Sequence, residues 1–302
     1  MEKQTTSFRS FITSFFGSLV PSFQLLRRND PLVLAGATAF FTTFALPPIV
    51  FLLARLFGFF FTPKLIGSGL LEHLSNNFGP EGAQQVRQVI RSIRGFSDSW
   101  YVTIFGSLFL FFVATTLFLV IKNSIHQLWQ FKPKEGAHFV ADILSRLKSF
   151  AVILLVGLLF LANLLLKSIE SFSGNFFESL MSGSSFYFKL IFSEVSSIVI
   201  VSAWFVILFR FITDARPHWK AAITGGILTG ILFSIGRYIL RLLLVQGNVG
   251  QLYGTSGSFV LVLLFVFYTS FILYYGAAFV AVYSKQKGWK LDWNKPPSGS
   301  NS

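Results

Sequence analysis

Arg237 and Arg241 stand one helical turn apart and carry the only charges in residues 221–245, an apolar stretch about as long as a bilayer is thick. A charge held in hydrocarbon costs roughly 2.5–3.5 kcal/mol on insertion scales, so an intramembrane arginine marks a candidate functional site. At about 100° per residue, Gly226, Gly230, Ser234, Arg237 and Arg241 share roughly an 80° arc of one helix face, which makes the arginines the end of a small-residue groove. Arg55 is the third cation inside an apolar run, and Glu194, at the start of another, is the available carboxylate. Three positives against one negative would attract an anion, and a guanidinium is the side chain best shaped for bidentate contact with a phosphate. The competing reading is structural: Arg241 snorkels to the interface, Arg237 pairs with Glu194, and Arg55 bonds carbonyls freed by Pro47 and Pro48.

The elements that must position these residues are membrane helices. The chain of 302 residues is 53% hydrophobic and only 12% charged, about half the charged fraction of a soluble domain, which excludes a water-soluble fold. Six spans are expected, at about 32–61, 99–121, 149–166, 190–209, 219–245 and 259–283. The fold class is therefore an all-α integral membrane protein with six transmembrane helices. The organisation expected is a cytoplasmic N-terminus over 1–30, one membrane domain over 31–284, and a basic disordered tail over 285–302. The net charge of +13 is spread through the connections, so topology and anionic lipid account for it better than nucleic acid does.

Alternate connections hold sixteen lysines and arginines on one side and six on the other, which by the positive-inside rule puts both termini in the cytoplasm of a bacterial plasma membrane protein. Counted at 1.5 Å per residue from the outer ends, Arg55 falls ~9 Å below Phe61, Arg241 ~6 Å and Arg237 ~12 Å below Val245, so all three share the outer half. Phe8, Phe11, Ile12, Phe15, Phe16 and Leu19 recur opposite Ser10, Thr13, Ser14, Gly17 and Ser18, the pattern of an interfacial amphipathic helix ending before Pro21. A second amphipathic stretch, with Val86, Val89, Ile90 and Ile93 opposed to Arg87, Arg91 and Arg94, is expected on the outer surface in the connection 62–98.

Pro47 and Pro48 remove two backbone donors from the first span and are expected to kink or break it, a device that lines binding sites in transporters. Gly226 and Gly230 permit close helix approach and could serve as a hinge. Asn123, His126 and Trp129, spaced by three, fit either an anchor with helix packing at the cytoplasmic boundary or a gate there. Tyr253, Gly254 and Gly257 read as a flexible outer loop leading to the last span; with no lysine and no preceding strand this is no phosphate-cradling loop.

Taken in order, Asp30-Pro31, the run Ala35-Gly36-Ala37-Thr38-Ala39-Phe40-Phe41 and Pro47 are followed by Asn123, His126 and Trp129. Next come Arg216-Pro217-His218-Trp219-Lys220, then Tyr253-Gly254-Thr255-Ser256-Gly257 and Gly276-Ala277. This series resembles the YihY/BrkB family of bacterial inner-membrane proteins over roughly residues 28–285. The resemblance implies a six-helix membrane protein tied to envelope integrity and serum resistance, from a family long mislabelled as ribonuclease BN. A glutamate that commonly follows Gly-Ala in the family's last helix is Ala278 here, which puts proton coupling through that position in doubt.

No nuclease or other enzyme is expected. There are no cysteines, and His73, His126, His138 and His218 lie in or beside connections without clustered carboxylates, so no two-metal site and no cofactor is implied. No ATP-binding motif is present. The function expected is a transporter or flippase-like protein that receives an anionic lipid or amphiphile in an outer-half cavity lined by Arg55, Arg237 and Arg241. A non-transporting envelope scaffold and an exporter of small soluble anions or osmolytes are the alternatives. Membrane lipids are the partners expected, and a homo-oligomer is compatible with the sequence.

Overall fold

A computed structural model describes residues 2–58, 100–130, 185–213, 215–246 and 257–289, with five isolated positions between 147 and 158. Six α-helices account for nearly all of them: α1 (Glu2–Arg27), α2 (Pro31–Gly58), α3 (Trp100–Leu128), α4 (Ser185–Ile207), α5 (Trp219–Gln246) and α6 (Gly257–Gln286). A π-helical turn, Leu208–Ile212, extends α4.

The expected count of six membrane spans is corrected to four. Among the described residues, four helices are long and apolar enough to cross a membrane: Phe111–Leu128, Glu194–Ile212, Trp219–Leu240 and Val262–Gln286. The apolar stretch Pro31–Ala45 of α2 is shorter than a span. The expected span at 149–166 lies outside the described residues, apart from isolated positions, as does the amphipathic stretch at 86–94. Helix α2 is assigned continuously through Pro47 and Pro48 to Gly58, so it is not divided in two there.

Helix α6 is the hub. It packs against α1, α2, α5 and, less extensively, α3, while α2 packs on α3 and α4 on α5. Its inward positions Tyr274, Ala277, Ala278, Phe279, Val280 and Tyr283 are almost fully buried and form the centre of the apolar core with Phe118, Ile125, Phe205 and Phe209. A tight turn at Asn29-Asp30 joins α1 to α2; Asp30 takes φ 48, which aspartate tolerates, and Pro31 then occupies the first helical position, where a missing N–H costs nothing.

Helix α1 departs from expectation in extent and orientation. It continues through Pro21 to Arg27, and the face it turns to the bundle is mixed: Ser18, Ser22 and Leu26 are fully buried and Phe15 and Leu19 pack against the core, while Ile12, Thr13, Phe16, Gly17, Val20 and Phe23 are exposed. The reason lies on α6. Pro21 has no N–H for the carbonyl of Gly17, and the Gln286 side chain supplies one, its Nε2 donating to Gly17 O at 3.3 Å while its Oε1 accepts from Ser18 Oγ at 2.8 Å. The Tyr275 hydroxyl donates to Leu19 O at 3.1 Å on the same seam, and Phe15 meets Phe279 with ring centroids 5.3 Å apart.

Candidate functional site

Helices α4 and α5 run antiparallel along a seam built from glycine. A Cβ on Gly226 would overlap Val206 Cγ2 and approach the Val206 backbone N to 2.9 Å; one on Gly230 would overlap Ser202 Oγ and reach the Ser202 Cα and N at 3.0 Å. Only a residue without a Cβ allows the backbones this close. Two turns beyond Gly230 on the same face, Arg237 ends the seam. Its Nη2 donates to Glu194 Oε2 at 3.1 Å, and its Nη1 donates to Ser197 Oγ at 3.3 Å. The pair is open to its surroundings: the Arg237 side chain is 24% exposed and that of Glu194 67%.

The pairing of Arg237 with Glu194 is the one that the competing structural reading expected, and Ser197 joins it. Sequence reading did not single out Ser197, although its place three residues after Glu194 puts it on the same helix face. Arg241 lies in α5 and Arg55 in α2, but their side chains are outside the described residues, as are those of Pro47 and Pro48. Tyr253 and Gly254 are also outside, while Gly257 is the first residue of α6.

At the other end of the bundle, Asn123, His126 and Trp129 do not act as one face. Asn123 is exposed, whereas His126 and Trp129 are buried. Trp129 is not placed as an exposed interfacial indole. Its Nε1 donates to Ala277 O at 2.8 Å, locking the end of α3 to α6. Beside it, Tyr274 shares hydrogen bonds with Thr38 of α2 and Ser124 of α3, a hydroxyl junction joining three helices in the core. Lys122 and His126, one turn apart on α3, are both buried nearby in sequence. None of these polar contacts carries a local sequence signal, because each partner comes from a different helix.

Arg210 is the further cation with a defined setting. In the π-helical turn its Nη1 donates to Pro217 O at 2.6 Å, and its guanidinium lies 5.0 Å from the centroid of the Trp219 ring. Among the described residues no group of three or more histidines, cysteines or carboxylates could hold a metal ion.

Comparison with known proteins assigns the family. The profile described as Virulence factor BrkB matches residues 22–298. A UPF0761 membrane protein of Chlorobium luteolum is 23% identical over 226 residues, covering 74% of this chain and 50% of the relative. One from Janthinobacterium sp. is 23% identical over 277 residues, covering 88% and 59%, and one from Aggregatibacter aphrophilus is 22% identical over 271 residues, covering 89% and 92%. The chain thus spans between half and three-fifths of the length of the first two of these relatives. No solved structure is significantly similar to it. Four helices able to cross a membrane and a profile match over most of its length make this chain a multi-pass membrane protein of the BrkB family.

Proposed function

We propose that the protein handles an anionic lipid or amphiphile at the α4–α5 seam, with Arg237 as the headgroup ligand and Glu194 as the group that the headgroup displaces. The observation that carries this reading is the open ion pair Arg237–Glu194 at the end of a glycine-lined contact. A guanidinium held by one exposed carboxylate and one serine hydroxyl can exchange that carboxylate for a phosphate at little net electrostatic cost, since each is an anionic acceptor and the phosphate accepts two parallel N–H bonds. Arg241 follows Arg237 by one turn of α5 and belongs to the same reading, in which the protein is a multi-pass protein of the inner membrane with cytoplasmic termini. Flippase-like movement and a role in envelope integrity follow from this reading together with the family.

The test is reconstitution in vesicles carrying labelled phosphatidylglycerol. The protein is expected to accelerate transbilayer movement, and Arg237→Ala and Arg241→Ala are expected to lower the rate at least tenfold. Unchanged scrambling on adding the protein, or the wild-type rate in both variants, would sink the lipid reading. A second reading, the envelope scaffold, draws on the same pair, because a salt bridge from α5 to α4 also ties helices together. Glu194→Gln separates the two: release of Arg237 raises phosphatidylglycerol affinity if the arginine is a headgroup ligand, whereas a scaffold loses stability and gains no affinity.

A further inference from the structure

The connection between α4 and α5 is far from Arg237 along α5, and it presents a second concentration of positive charge. Arg216 and Lys220 are exposed there, and Phe211 and Trp219, each about half exposed, stand beside them with ring centroids 6.0 Å apart. The backbone carrying these groups is held from three sides. Arg210 grips Pro217 O and covers the Trp219 ring. The His218 carbonyl accepts the first hydrogen bond of α5 from Ala222 N at 3.0 Å, while His218 Nδ1 accepts from Lys220 N at 3.2 Å, so His218 caps the helix. The His218 ring stacks on Trp289 at 4.5 Å, and Trp289 is folded back there by Gly288, whose φ is 69.

We infer that this corner is a docking site for the headgroup of an anionic phospholipid, with Arg216 and Lys220 contacting the phosphate and Phe211 and Trp219 lying along the glycerol and upper acyl region. Charge complementarity selects the sign of the occupant. Lys285 and Lys287 end α6 close to the Trp289 contact, and against these cations the connection holds a single carboxylate, Asp214, which is outside the described residues. The exposed aromatic pair selects an amphiphile over a soluble anion, because an indole and a phenyl ring at the end of membrane helices are at home among headgroups and cost free energy in water. Preorganisation sets the site apart from a diffuse positive surface: the cap, the π-helical turn and the ring stack fix the backbone before any ligand arrives. The inference does not rest on the Arg237 reading, and Arg237→Ala leaves this binding intact.

The experiment titrates dioleoyl phosphatidylglycerol, and separately phosphatidylcholine, into the detergent-solubilised full chain and counts bound lipids by native mass spectrometry. Arg216→Gln with Lys220→Gln is compared with Arg27→Gln with Arg28→Gln, which removes the same charge from exposed positions at the end of α1. The corner variant is expected to weaken phosphatidylglycerol binding roughly thirtyfold, about fivefold per cation, and the α1 variant by less than about threefold. Equal loss in the two variants, or no preference for phosphatidylglycerol over phosphatidylcholine, would overturn the site. Displacement of the lipid by equimolar glycerol 3-phosphate would overturn the lipid as its occupant, leaving the phosphate alone as the group recognised.

Discussion

Replacing Gly230 with alanine adds one methyl group to the α4–α5 seam, and the structure fixes where it goes. The new Cβ would overlap Ser202 Oγ, which can rotate away, but it would also stand 3.0 Å from the Ser202 Cα and N, which are helix backbone and yield only if the helices separate. Overpacking of this kind costs about 1–3 kcal/mol. A glycine-to-alanine change in a helix also brings about 1 kcal/mol of intrinsic propensity in the other direction, so the single measurement mixes two effects. Gly36 of α2 removes the ambiguity: it too is helical, and a Cβ there meets nothing within 4 Å. The propensity gain cancels in the comparison, and Gly230→Ala should fall about 1–3 kcal/mol below Gly36→Ala in equilibrium unfolding of the purified protein by SDS, followed by tryptophan fluorescence. Adding Ser202→Ala should recover only the part due to the hydroxyl, because the backbone contacts remain. If Gly230→Ala matched Gly36→Ala, close backbone packing would not be what holds the seam, and the geometry that places Arg237 against Glu194 would need another cause.

Gln286→Leu should destabilise α1 by about 1–2 kcal/mol, since it removes two hydrogen bonds, one of them to a carbonyl that Pro21 leaves without its helical partner. Pro21→Ala restores that partner, so the penalty of Gln286→Leu should shrink by about 1 kcal/mol in its background, read as a double-mutant cycle of protease susceptibility at the N-terminus. Tyr274→Phe leaves buried hydroxyls of Thr38 and Ser124 short of a partner and should cost about 1–3 kcal/mol in the same SDS titration. Glu194→Gln should change stability by no more than about 1 kcal/mol, because the carboxylate of this pair is largely exposed, so a large loss would show that the pair is sheltered from its surroundings.

Features that depend on one helix at a time were legible in the sequence. The arc shared by Gly226, Gly230 and Arg237 is a consequence of helical period, and charge cost plus topology sufficed to name Glu194 as the counter-ion. Features that depend on which neighbour a helix meets were not. Periodicity separates two faces of α1 but does not say that the inward one straddles them: Ser18 and Ser22 turn in beside Phe15, Leu19 and Leu26, because α6 offers both a hydrogen-bonding Gln286 and an apolar Phe279. Pro21 reads as a stop in isolation for the same reason, its rescue being more than 250 residues away in sequence. Trp129 has the composition of an interfacial anchor and the location of a packing residue, and only the Ala277 carbonyl distinguishes them. The span count failed in α2, whose described apolar stretch stops at Ala45.

The three faces of α5 bear directly on whether a headgroup could be moved or only held. Gly226 and Gly230 face α4, whereas Gly225 and Gly236, about 100° around the helix, face α6, where added methyl groups would overlap Val280 and the Tyr268 ring. The third face, Ile223, Ile227, Ile231, Ile235 and Ile239, is exposed and suits lipid. Phe233 is keyed between the two neighbours, its ring centroid 6.2 Å from that of Phe205 in α4 and 5.7 Å from that of Phe265 in α6, while glycines line the rest of both contacts and leave α5 few bulky side chains of its own to carry past them in a shear motion. A few polar contacts also pin α5: Arg237 to Glu194 and Ser197 on one side, and the Tyr268 hydroxyl to Leu232 O at 2.9 Å on the other. A headgroup that takes Arg237 from Glu194 therefore removes the seam's charged tether in the act of binding. On the lipid reading Gly230→Leu should abolish phosphatidylglycerol movement while leaving binding at Arg216 and Lys220 unchanged; movement at the wild-type rate through a wedged seam would refute α5 as the moving element.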